Sequence, residues 1–202
     1  MAYPPRPCFD GAIYHIAARG NNRETIFADE EDHRKYLELL GRYKRQLRFL
    51  LHAYVLMTNH VHLILEPSGQ ATVSRIMQGL GIAYTQWFNR RHARVGHVFQ
   101  GRFRSRIIDQ EPYLLAASRY VHLNPVRARL VRHPADYLWS SYSSYLTGQS
   151  PGQLVDTEMV LTLAAARPER QREEYQRLVE SVWPADSAKQ WACIQYEMQP
   201  SL

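Results

Sequence analysis

Two short constellations in this sequence combine residue types and spacings that could do chemistry. The first is His60-Val61-His62. On a β-strand, side chains two residues apart point to one face, so both imidazoles can reach a single ion while Val61 packs into a core. The second is Tyr120-Val121-His122-Leu123-Asn124. Positions i and i+4 of a helix share a face, which brings a phenol and an amide together. A tyrosine nucleophile needs a cation nearby, because an ordinary pKa near 10 keeps it protonated at neutral pH. An amide oxygen added to two imidazoles would complete a site for a hard or borderline divalent ion. Each constellation also has a plainer reading. Histidine pairs occur on buried strands by chance, and Tyr120 is one of 13 tyrosines. Asn124 precedes Pro125, a position biased away from helical dihedrals, so its direction is less fixed than its spacing. Tyr113 is a second candidate phenol, ranked below Tyr120 because Asn124 stands four residues from the latter. Spacing assigns His122 no proton-transfer role.

The elements that must carry these residues follow from hydrophobic periodicity. Residues 12–18 alternate as a strand, and Arg19-Gly20-Asn21-Asn22 ends it as a turn. From Asp29 to Gln46, Tyr36, Leu37, Leu39, Leu40 and Tyr43 recur at helical spacing, with acids early and bases late. Two apolar strands flank Thr58-Asn59. A helix is predicted over 71–91, with Val73, Ile76, Met77, Leu80, Ala83, Tyr84 and Trp87 forming one stripe. A fourth strand covers 103–109. Glu111-Pro112 opens a helix expected to run to about His122, before Pro125. This order predicts an α+β fold with a ferredoxin-like antiparallel sheet. Residues 147–153 read as a linker, and 156–165 and 168–183 as two short helices. The expected organisation is a catalytic domain over 1–146 and a helical C-terminal extension over 147–202.

Charge points to a class of partner. The chain carries a net +6, yet residues 67–135 alone hold 11 arginines, no lysine, and only Asp109 and Glu111 as acids. Arginine's planar fork pairs with phosphate oxygens and stacks on bases. Such a field beside Trp87, Phe88, Phe99 and Phe103 suits single-stranded nucleic acid, although arginines can also merely solvate a helix face. No apolar run is long enough to cross a bilayer, and the start lacks an apolar signal core, so a cytoplasmic address with no membrane partner is expected. Cys8 and Cys193 belong to no CxxC pair and are expected to be ordinary thiols.

Longer stretches carry a resemblance. YHIAARGNNRETIF at 14–27, HAYVLMTNHVHLILE at 52–66, FNRRHARVGHVFQGRF at 88–103, SRYVHLNPVRARLV at 118–131 and DYLWSSY at 136–142 resemble, in order, the REP-associated tyrosine transposases, a branch of the IS200-like, single-tyrosine HUH transposases. The resemblance implies that His60 and His62 hold Mg²⁺ or Mn²⁺, that Asn124 is the third, amide-type ligand, and that Tyr120 is the catalytic nucleophile. It implies cleavage and rejoining of single-stranded DNA beside REP-like hairpins through a 5′-phosphotyrosine link. It also favours a monomer over a homodimer. Arg19, Asn21, Asn22, Arg23, Arg90, Arg91, Arg102, Arg104 and Arg106 fall in stretches expected to meet DNA. Thr58 departs from the proline usual before the Asn-His-Val-His run, with little consequence expected for the metal. Two alternatives stand beside this reading: a nucleic-acid-binding module that does not cut, and a metal hydrolase using the His60–His62 pair.

Overall fold

The computed structural model describes residues 11–181 apart from Gln70. Cys8, Cys193 and the last two residues of the helix expected to end at 183 lie outside the described residues. Four strands, β1 (Ile13–Arg19), β2 (Leu50–Met57), β3 (His60–Glu66) and β4 (Arg104–Ile108), form one antiparallel sheet in the order β2-β3-β1-β4. With α1 (Glu30–Leu47) after β1 and α2 (Val73–Arg91) after β3, this is the ferredoxin-like split βαβ arrangement.

Local chemistry sets the helix ends. The Asp29 carboxylate accepts hydrogen bonds from the backbone N–H groups of Glu31 and Asp32 and so caps α1, while Thr72 caps α2 through the N–H of Arg75. Across the two helices, Arg91 pairs with Asp29, Glu31 and the fully buried Asp32, which also contacts His92. The outer edge of β2 is covered: Leu56 N–H donates to Trp139 O, Ser141 N–H donates to Tyr54 O, and Leu51 and Asp156 bond each other.

Pairing register sorts the sheet into two faces. Tyr14, Ile16 and Ala18 point one way, and Tyr14 and Ala18 line a cleft of about 790 Å³ with Val73, Met77 and Ile82 of α2. Ile13, His15, Ala17 and Arg19 point the other way. Ala17 stands opposite His62 and Arg104, His15 opposite Ile64 and Arg106, and Arg19 opposite His60. That second face is covered by α3 (Glu111–Arg127).

Helix α3 differs from its expected extent. It runs through Pro125 to Arg127 instead of stopping near His122. Proline forfeits one N–H, but the helix closes around that gap: Ala128 N–H reaches Asn124 O, Leu130 N–H reaches Pro125 O, and Arg129 takes a left-handed φ of 58° as the chain turns away. Asn124 therefore keeps helical geometry one turn beyond Tyr120.

After α4 (Tyr142–Thr147), the extension folds into α5 (Glu158–Ala164) and α6 (Gln171–Glu180), which pack on α3. Its Val155, Val160, Leu161, Tyr175 and Val179 join the same buried cluster as the sheet. Among the described residues, no helix is long and apolar enough to cross a membrane.

Candidate active site

The histidine pair lies near the end of β3, where the chain has just turned at Thr58-Asn59. That turn is bound to the segment following β1: Gly20 N–H donates to Asn59 O, and Ile26 and Phe27 donate to Thr58 O. Gly20 is required here, since a Cβ at that position would come within 2.2 Å of Glu24 O. The Asn59 side chain donates through Nδ2 to Arg23 O (3.0 Å), which directs its Oδ1 at His60 Nδ1, 2.7 Å away. With the proton on Nδ1, His60 presents its Nε2 lone pair. His62 Nδ1 lies 3.0 Å from Nε2 of His15, and the two rings stack at 5.1 Å. With His62 donating to His15, the Nε2 of His62 is also a lone pair. Partners of this kind fix the tautomer and orientation of a metal-binding imidazole.

Burial keeps these imidazoles neutral. Desolvation, then the Arg19 cation, pushes His60 down to about 4, and desolvation with Arg106 pushes His15 down to about 4. His62 is held well below its ordinary value, by burial first and then by His15, His60 and Arg19. A neutral imidazole is the form that binds a metal ion.

Tyr120 comes down from α3 onto this patch. Its ring meets His62 edge-on at 5.5 Å and His15 at 6.0 Å, while His60 and His62 stand at right angles, 5.2 Å apart. The Asn124 side chain, one turn further on, lies beside the His60 ring and favours its protonated form. All four residues proposed from the sequence thus meet in one place. The Nε2 of His62 and the Nδ2 of Asn124 are buried without a hydrogen-bond partner. An imidazole lone pair left over in this way fits a cation, and the Asn124 amide can turn its oxygen toward one. Among the described residues, no three His, Cys, Asp or Glu side chains are grouped to hold a metal.

The candidate DNA-contacting residues divide into groups. Arg104 and Arg106 are exposed and share the histidine face of the sheet through β4. Arg19 is lowered by burial and by the nearby cations of Arg23 and Arg104, so three arginines crowd together where repulsion favours an anion between them. Asn21, Asn22 and Arg23 form the 3₁₀ turn after β1, with Asn22 and Arg23 at φ of 50° and 60°. Arg102 lines the cleft on the far face of the sheet. Arg90 and Arg91 end α2, and Arg91 is engaged by the acids of α1. Tyr113 is exposed at the start of α3.

Sequence reasoning passed over His15, which buttresses His62. The signal was present, because Ile13, His15, Ala17 and Arg19 alternate in phase, but only the pairing register shows which strand they face. It also passed over Arg127, whose guanidinium carbon sits 5.3 Å from the Tyr120 ring centre.

The opposite side of α3 is held by the extension. Ser118 donates to Leu115 O, Tyr175 donates to Ser118 Oγ (3.1 Å), and the Tyr175 oxygen lies 2.7 Å from His122 Nδ1. His122 Nδ1–H therefore donates to Tyr175. Its Nε2 accepts from Ser141 Oγ at 2.7 Å, and Ser141 in turn accepts from Tyr54 N–H. Burial pushes His122 down to about 3, consistent with a neutral ring in this chain of bonds. Next to it, Arg119 donates to Val179 O and Ser181 O at the end of α6.

A profile of the IS200-like transposases matches residues 8–124, more than half of the chain. Among solved structures, a REP-associated tyrosine transposase bound to a REP hairpin is similar in fold, with a TM-score of 0.61 and 19% identity over 78% of this chain and 93% of that one. A protein assigned as a transposase from Deinococcus radiodurans R1 aligns over 57% of this chain and 92% of its own, at 16% identity and a TM-score of 0.43. Comparison with curated proteins gives no match. The profile match over more than half of the chain places it in a family: it belongs to the IS200-like transposases.

Proposed function

We propose that this transposase-family protein cuts and rejoins single-stranded DNA beside hairpin elements, through a covalent bond between Tyr120 and a 5′-phosphate. The observation that carries the reading is the convergence of Tyr120 with His60, His62 and Asn124 on one buried patch, the phenol ring 5.5 Å from His62. The phenolic oxygen of Tyr120 attacks phosphorus, the P–O3′ bond breaks, and the 3′-oxygen leaves with a proton. A free 3′-hydroxyl can later attack the phosphotyrosine and restore a phosphodiester, so the bond energy is conserved for strand transfer. His60, His62 and the amide oxygen of Asn124 would hold Mg²⁺ or Mn²⁺, which when bound supplies Lewis acidity at the scissile phosphate. His15 and Asn59 orient the imidazoles. Arg19, Arg23, Arg104 and Arg106 are the nearest candidates for the phosphate track, with Asn21 and Asn22 beside them; Arg90, Arg91 and Arg102 would make more remote contacts.

Hairpin DNA is the natural partner to test, because the similar solved structure holds a REP hairpin. We read residues 1–146 as the catalytic part and 147–202 as an extension whose described residues brace α3, and we favour a monomer because α3 meets the histidines of its own chain. The test uses end-labelled single-stranded REP-type hairpins with Mg²⁺, on wild type and Tyr120→Phe. A metal-dependent protein–DNA adduct that survives denaturation and is lost in the variant is the expected result. Cleavage that persists in Tyr120→Phe without an adduct would establish the hydrolase reading instead. Binding without cleavage across a panel of hairpins would leave a binding module.

A further inference from the structure

Helix α3 carries a basic side chain that the four proposed site residues do not include. Tyr120, Asn124 and Arg127 are spaced i, i+4, i+7, so they share one face of the helix. They do so only because α3 continues through Pro125. The guanidinium carbon of Arg127 lies 5.3 Å from the centre of the Tyr120 ring. Tyr120 itself is buried, at 6% exposure, whereas Arg127 is exposed. The phenol thus has the sheet imidazoles on one side and, on another, an arginine open to solvent. The other arginine of this helix, Arg119, is buried and spent on backbone carbonyls of Val179 and Ser181.

We propose that Arg127 is a catalytic residue that binds a non-bridging oxygen of the scissile phosphate and then of the phosphotyrosine. This rests on the covalent reading of Tyr120. As the Tyr120 oxygen–phosphorus bond forms and the phosphorus–O3′ bond breaks, charge gathers on the non-bridging oxygens. Arg127 keeps its proton throughout and faces that charge with N–H donors in a planar fork, the geometry that suits phosphate oxygens. The phenolic proton and the proton taken by O3′ exchange with solvent, so atoms and charge balance without a further reactant. Donors fixed in place before charge develops stabilise the transition state more than the ground state. Loss of Arg127 therefore slows the chemical step more than it weakens hairpin binding. A purely structural arginine over an aromatic ring would do neither selectively.

The experiment measures single-turnover adduct formation by wild type, Arg127→Ala and Arg127→Lys on two substrates. One hairpin strand carries an ordinary phosphate at the cleavage site, and the other a methylphosphonate, which lacks one charged oxygen. Hairpin affinity and thermal melting are measured alongside. On the phosphate, Arg127→Ala is expected to slow adduct formation about 100-fold, and Arg127→Lys to recover part of that, with affinity changed by less than about threefold. On the methylphosphonate, the deficit of Arg127→Ala relative to wild type should shrink to within about threefold, because the charge that Arg127 faces is gone. An Arg127→Ala rate equal to wild type, or a deficit identical on both substrates, overturns the proposal. Should Arg127→Ala lose its folded melting transition, Arg127→Lys on the two substrates gives the same comparison. Absence of any wild-type adduct on the phosphate substrate would instead overturn the tyrosine reading beneath it.

Discussion

Replacing Tyr175 with phenylalanine removes one oxygen from the middle of a directed chain of hydrogen bonds. In the wild type, that oxygen accepts from His122 Nδ1 and donates to Ser118 Oγ. Ser118 keeps its own bond to Leu115 O, so its loss is small. His122 is affected more, because its Nδ1–H is left without an acceptor in a side chain with 0% exposure. Stranding one buried donor costs about 1–3 kcal/mol, and nothing in the substitution compensates, since phenylalanine fills the same volume without the acceptor. We expect Tyr175→Phe to lower stability by about 2 kcal/mol, which for a chain of this size shifts the melting midpoint by roughly 4–8 °C. Urea denaturation at pH 7 measures this, with an unchanged m-value showing that the same surface unfolds. A double-mutant cycle with His122→Leu isolates the pair, since removing both partners should cost less than the two single losses added together. A loss under about 0.5 kcal/mol, or strict additivity in the cycle, would refute the proton directions assigned here.

Acid should destabilise the protein through the same ring. His122 is pushed to about 3 in the folded state, below the 6.5 of a free histidine, so the unfolded chain binds the extra proton between those values. Its contribution is complete above about pH 6.5 and is lost as pH falls toward 3, the loss reaching about 2 kcal/mol at pH 5. His15, His60 and His62 titrate in the same sense, so His122→Leu should shrink the difference in urea-derived stability between pH 7 and 5 by about 2 kcal/mol without abolishing it. Neutralising Arg104 and Arg106 together should lower the salt-dependence slope of single-strand binding by about 1.4, if each contacts one phosphate; titration across a salt series measures it, and an unchanged slope removes β4 from the track. Asn59→Ala should weaken Mn²⁺ binding by about 10–100-fold while leaving melting nearly unchanged, because the residue orients His60 without joining the core; titration followed by paramagnetic resonance reads both free and bound ion.

Much of this arrangement is legible from local pattern. Strand alternation places His60 and His62 on one face, and helical spacing brings Tyr120 and Asn124 together, because both depend only on neighbours in the chain. What the pattern does not carry is register. That His15 stacks on His62, and that Arg104 and Arg106 share their face, depends on which residue pairs across β1, and no local signal specifies it. The length of α3 escapes local pattern for a different reason. The rule that ends helices at proline describes an isolated backbone, whereas here packing against β2, α5 and α6 holds the helix through Pro125 and carries Arg127 to the site. The cleft beside α2 is likewise a product of tertiary packing, with Tyr14, Phe99 and Phe103 drawn from separate segments.

The grip of α6 on α3 separates two boundaries that are easily equated. The family signature ends at Asn124, partway along a helix, and its last residues include His122, whose hydrogen-bond partners Ser141 and Tyr175 come later in the chain. A fragment cut at the end of the shared sequence would keep Tyr120 and lose the groups that satisfy the back of its helix. Homology here marks where chemistry is inherited, whereas the unit that folds reaches at least to Val179. Related chains with different segments after this helix must satisfy its rear face by some other means, so the sequence beyond α3 is where such relatives can diverge without altering the residues that face the histidine patch.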